Sequence, residues 1–124
     1  MKDSRENARR AKILVVDDNK DAVEALSSLL EMEGFAVVTA RNGLHALDQL
    51  KNDEISVILL DLWMPVMNGS EFLCEKARNG SIANIPVIVL SANPPWELPE
   101  GTQAMLQKPV YPQGLLKAIE RCLT

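Results

Sequence analysis

Apolar residues in this chain gather in short continuous runs, and each run stops at a polar residue. Ile13 to Val16 ends in Asp17-Asp18, Val57 to Leu60 ends in Asp61, and Val87 to Leu90 ends in Ser91. Consecutive aliphatic residues without polar alternation predict strands buried on both faces, as in the middle of a parallel sheet. Phe35 to Ala40 and Ala104 to Gln107 complete a set of five strands, the last being the weakest. Between the runs the period changes. From Lys20 to Glu33, Val23, Leu26 and Leu30 follow helical spacing, with Asn19 or Asp18 as cap and Gly34 as stop. Arg41-Asn42-Gly43 turns into a short helix carrying Leu44, Leu47 and Leu50. A further helix runs from about Ser70 to Asn79 with Phe72 and Leu73 inward and Gly80 as its stop. A last one starts near Pro112 with Leu115, Leu116, Ile119 and Leu123 inward.

Strict alternation of strand and helix predicts an α/β fold, a doubly wound parallel sheet with helices on both faces. In such sheets, ligands collect at the carboxyl ends of the strands. Asp17, Asp18, Asp61, Ser91 and Lys108 all fall there, although alternation alone does not give strand order. If the first and third strands are neighbours, three carboxylates converge, and their repulsion calls for a cation. Oxygen-only ligands point to Mg²⁺. Singly, each residue has an ordinary reading: Asp17-Asp18 as helix caps, Ser91 as a turn residue, Lys108 as a surface lysine. Together, in order and at strand ends of one polarity, they read as a site.

Composition narrows the picture. With 124 residues, 47% of them hydrophobic and 24% charged, the chain has the size and balance of one soluble globular domain. Its formal net charge of -4 gives no general attraction to nucleic acid or to an anionic membrane. Cys74 and Cys122 lack metal-ligand spacing, and His45 has no acidic or nucleophilic neighbour in sequence that would give it a catalytic role. No apolar run approaches the roughly 18 residues that span a bilayer, and the amino terminus has no apolar core of a signal peptide, so a cytoplasmic protein is expected. Residues 1–12 mix both charges without an apolar stripe and are expected to form a polar tail before a domain over residues 13–124.

The acidic pair after the first strand, Asp61 followed by Met64-Pro65 and Gly69, Ser91 after the fourth strand and Lys108-Pro109 after the fifth resemble a response-regulator receiver domain. The resemblance covers Ile13 to Leu123. It implies a flavodoxin-like five-stranded sheet in the order 2-1-3-4-5, a doubly wound order that receivers themselves commonly illustrate. It also implies a phosphoacceptor role for Asp61 in a two-component phosphorelay. The donor would be a sensor histidine kinase or a histidine phosphotransfer protein, and the output protein is unknown. Asp18 would ligate Mg²⁺ directly, Asp17 would act through water or orient the site, and Asp61 and the backbone carbonyl of Trp63 would complete the metal shell. Lys108 and Ser91 would meet the phosphoryl oxygens, and the Lys108-Pro109 bond would be cis. A stand-alone, single-domain regulator is expected, monomeric or weakly dimeric. It would not be an enzyme beyond self-catalysed transfer to its own aspartate and slow loss of the phosphoryl group.

Three departures from the family pattern stand out. Pro94, Pro95 and Pro99 crowd the segment after Ser91, and the spacing from Ser91 to Lys108 is short, so a truncated or missing fourth helix is expected. Met105 replaces the usual switching aromatic, and Trp63 flanks the acceptor. A degenerate receiver that only binds protein is an alternative, against which the complete acidic set argues. An aspartyl-phosphate hydrolase would want a second acid where Trp63 stands. A nucleotide or flavin binder would want a glycine-rich loop after the first strand.

Overall fold

The structure, a computed structural model, describes residues 11–64, 66–93 and 97–124. Five strands form one parallel sheet: β1 (Lys12–Val16), β2 (Ala36–Ala40), β3 (Val57–Asp61), β4 (Val87–Ser91) and β5 (Ala104–Gln107). Their order is β2-β1-β3-β4-β5, as the family resemblance implies. The helices are α1 (Lys20–Met32), α2 (Gly43–Asn52), α3 (Gly69–Arg78) and α4 (Pro112–Leu123). Lys12, assigned to the tail from sequence, is the first residue of β1, and residues 1–10 of the expected tail lie outside the described residues.

Alternation along each strand sorts the core into two halves, because successive side chains leave opposite faces of a sheet. Leu14, Val16, Ile58, Leu60, Val87 and Val89 pack on one face with Ala46 and Leu50 of α2 and Phe72 and Leu73 of α3. Ile13, Val15, Val57, Leu59, Ile88 and Leu90 pack on the other with Leu30 of α1 and Leu115 and Ile119 of α4. All five residues of β3 and of β4 are buried, which is why their sequences carry no alternation.

Local signals set the helix ends. The Asn19 side chain accepts from the Ala22 amide at 3.1 Å, and Gly34 stops α1 at φ 94°. Asn68 and Glu71 close a reciprocal capping box on α3, and Pro112 opens α4. The inward stripe of α3 holds a polar residue whose partner lies in another segment. Lys76 is 3% exposed and donates to the Ala83 carbonyl at 2.7 Å, and burial lowers its pKa from the usual lysine value.

The shortened helix expected between the fourth and fifth strands concerns residues 92–103. Of these, Pro94, Pro95 and Trp96 lie outside the described residues, and the others form bends and turns, with the Thr102 hydroxyl donating to the Pro99 carbonyl at 2.6 Å. The four helices among the described residues divide evenly, α2 and α3 over one face and α1 and α4 over the other.

Candidate functional site

The strand order brings the acids together. In the parallel pairing of β1 with β3, Val16 aligns with Leu60, so Asp17 and Asp61 emerge side by side at the carboxyl edge. Asp17 is 3% exposed and Asp61 8%, while Asp18 is exposed. One carboxylate oxygen from each of the three lies within 4.8 Å of the others.

Backbone donors and one cation hold this cluster. Asp17 Oδ1 accepts the Asn19 amide at 2.9 Å, and its Oδ2 accepts Lys108 Nζ at 2.9 Å. Asp61 Oδ1 accepts the Trp63 amide at 3.2 Å, and its Oδ2 stands 3.8 Å from Lys108 Nζ. Burial raises the Asp61 pKa above its usual carboxylate value. The Trp63 amide and Lys108 oppose that rise, and the charges of Asp17 and Asp18 add to it. Three carboxylates thus face one ammonium, an excess of two negative charges on an all-oxygen donor set. That charge and hardness fit one Mg²⁺ held by Asp17, Asp18 and Asp61.

Ser91 and Lys108 reach the same edge from neighbouring strands. The Lys108 amide donates to the Ser91 carbonyl at 2.9 Å, and the Lys108-Pro109 bond is cis. Ser91 is fully buried, and its hydroxyl accepts the Asn93 amide at 3.2 Å, which leaves its proton to donate. The structure therefore brings Asp17, Asp18, Asp61 and Lys108 into one cluster and sets Ser91 beside Lys108 through the backbone. Trp63 joins through its amide, with its side chain 65% exposed.

The resemblance implies that Lys108 meets the phosphoryl oxygens, and here its ammonium sits closer to Asp17 than to Asp61. The sequence pattern gives His45 no role. Its Nδ1 accepts the Arg41 amide at 3.2 Å, and the ring lines a cavity of about 420 Å³ that Asp17, Asp18, Lys20 and Arg41 also border. Nothing in the spacing of His45 signals this, since the cavity arises only where β2 lies beside β1.

A sequence model of the response regulator receiver domain matches residues 13–120. Protein PilH of Pseudomonas aeruginosa is 30% identical over 118 residues, which span 91% of this chain and 98% of PilH. The transcriptional regulatory protein CpxR homolog of Haemophilus influenzae is 48% identical over 82 residues, 66% of this chain and 34% of that protein. The response regulator SaeR of Staphylococcus aureus is 33% identical over 117 residues, which cover 90% of this chain and 50% of SaeR. The chain thus spans a third to a half of two of these relatives and nearly all of the third. Among solved structures, the chemotaxis protein CheY4 of Vibrio cholerae superposes with a TM-score of 0.84 at 30% identity, covering 91% of this chain and 98% of that one.

Proposed function

The chain belongs to the response-regulator receiver domain family of two-component signalling, and from that premise we propose that Asp61 accepts a phosphoryl group from a phosphohistidine on a sensor histidine kinase or histidine phosphotransfer protein. The convergence of three carboxylates within 4.8 Å of one another, with Lys108 bridging two of them, carries the reading. Asp17, Asp18, Asp61 and the Trp63 carbonyl would hold Mg²⁺, which offsets negative charge on the phosphoryl oxygens when bound.

The chain's own residues supply the rest. An Asp61 oxygen attacks phosphorus in line, so the new bond is aspartate O–P, and the N–P bond to the donor imidazole breaks with the imidazole as leaving group. Lys108 Nζ, 2.9 Å from Asp17 and 3.8 Å from Asp61, needs little movement to meet an equatorial oxygen. The Ser91 hydroxyl donates to another while keeping the Asn93 amide. Receivers are signalling modules, and the transfer here is self-catalysed rather than turned over on a separate substrate. The product biases an existing conformational equilibrium and changes the surface offered to an output protein. Among the described residues no helix is long and apolar enough to cross a membrane.

Incubation with acetyl phosphate and Mg²⁺, read by intact mass, tests this function. The wild type is expected to gain one phosphoryl group and Asp61→Asn none. An unlabelled wild type would leave the degenerate, protein-binding receiver ahead.

A further inference from the structure

The loop from Asp61 to Gly69 is pinned at both ends. At its start the Trp63 amide donates to Asp61 Oδ1 at 3.2 Å, and at its end the Gly69 amide donates to the Leu62 carbonyl at 2.9 Å. A Cβ on Gly69 would come within 2.6 Å of Leu62 Cα, so the loop closes on itself as tightly as a backbone can. Between the pins, Val66 has φ 68° and is 75% exposed. A β-branched residue avoids this left-handed region, and an exposed side chain gains little packing to offset the strain. A contact from outside the loop reaches it at Met67.

That contact comes from α2. The Met67 carbonyl accepts the Gly43 amide at 2.9 Å, and a Cβ on Gly43 would lie 2.7 Å from Met67 Cγ, 2.8 Å from Met67 O and 3.0 Å from Phe72 Cβ. The positive-φ glycines are Gly34 and Gly101, so Gly43 serves close approach rather than an unusual backbone angle. The same turn reaches the other side of the site, because the Asp17 amide donates to the Ala40 carbonyl at 3.1 Å. Within it the Arg41 amide donates to His45 Nδ1 at 3.2 Å, and Asn42 Oδ1 accepts the His45 amide at 2.8 Å. Residues 40–43 therefore brace Asp17 against the loop that follows Asp61.

We propose that Gly43 is a positioning residue for phosphoryl transfer. It keeps the loop after Asp61 in its strained form, and so sets where the Trp63 amide meets the Asp61 carboxylate, although it touches none of the reacting atoms. The role rests on Asp61 being the acceptor, and through the brace it links phosphorylation to the first turn of α2.

Three variants and one exchange measurement test the brace. Gly43→Ala should slow labelling of Asp61 by acetyl phosphate by about tenfold to a hundredfold, because a misplacement of about 1 Å costs that much. It should also weaken Mg²⁺ binding measured calorimetrically without phosphodonor. Gly114→Ala, whose added Cβ meets nothing within 4 Å, should match the wild type in both. Met67→Ala placed in the Gly43→Ala chain should leave both losses in place, because the Met67 carbonyl oxygen at 2.8 Å still meets the added Cβ. A folded Gly43→Ala chain with wild-type labelling and Mg²⁺ affinity, or full recovery in the double variant, would overturn the proposal.

Should Gly43→Ala fail to fold, hydrogen exchange of the wild type decides. Protection of the Gly43 amide should change about fivefold or more when Asp61 is loaded, a usual size for coupling between sites. Unchanged protection on a chain shown by mass to be loaded would remove the brace alone. A wild type that takes no phosphoryl group would remove the acceptor reading and the brace with it.

Discussion

β3 and β5 both deliver a site residue to the same edge, yet they are built differently. All five residues of β3 are buried and it pairs on both sides, with β1 and β4, whereas β5 pairs only with β4 and none of its four residues is fully buried. Asp61 therefore ends an interior strand buried throughout, and Lys108 follows an edge strand with no buried residue. A nucleophile benefits from a fixed position, because in-line attack tolerates little error. A counter-ion with the proposed task of leaving Asp17 for a phosphoryl oxygen benefits from freedom. The difference suits the role proposed for each residue.

The contrast can be broken first at the core. Leu59→Ala, at a site with no exposure, is expected to cost about 2–5 kcal/mol by chemical denaturation. Leu106→Ala, on partly buried β5, should cost about 1 kcal/mol. Equal losses would show that β5 is as firmly held as β3.

At the site, Lys108→Ala should slow Asp61 labelling by acetyl phosphate by about 10²-fold, the usual cost of removing one donor aimed at developing charge. A loss of only a few-fold would mean that the cation held by the edge strand is dispensable.

The burial of Asp61 makes a pH prediction. Its folded pKa is raised, so the folded chain binds this proton more tightly than the unfolded chain does, and stability falls as pH rises through the folded value. The penalty is present in full above that value and vanishes below the ordinary carboxylate pKa of 3.8. Asp61→Asn should therefore raise the melting temperature at pH 7 without Mg²⁺, with the gain shrinking toward pH 3. A gain independent of pH would place its origin elsewhere.

The smallest expected effect is at Trp63. If its exposed indole impedes the hydrolytic water, Trp63→Asn should shorten the life of the phosphorylated state several-fold, followed by loss of the mass adduct. An equal or longer lifetime would leave the side chain to packing or partner contact.

Much of this was legible residue by residue. The aliphatic runs ending in Asp17-Asp18, Asp61 and Ser91 marked buried strands and their functional edge together, because a strand buried on both faces cannot alternate and must end where polar groups meet water. Caps at Asn19, Gly34 and Pro112 were readable because each acts within its own turn. Lys76 was not legible: its inward position follows from spacing, but its acceptor at Ala83 belongs to another segment. Nor was Gly43, which reads as the end of an ordinary turn until the loop after β3 is laid against it. A glycine at the start of a helix with no need of positive φ was the one signal available.

By itself, then, the amino-acid order determined the five strands, their polarity and the polar residues at their ends, since those depend on period and local chemistry. Only the tertiary structure decided which strands are neighbours, and with that the 4.8 Å gathering of Asp17, Asp18 and Asp61, the seating of Lys108 nearer Asp17, and the contact of Gly43 with Met67. Those are contacts between segments distant in the chain, and they exist only once the sheet has set its order.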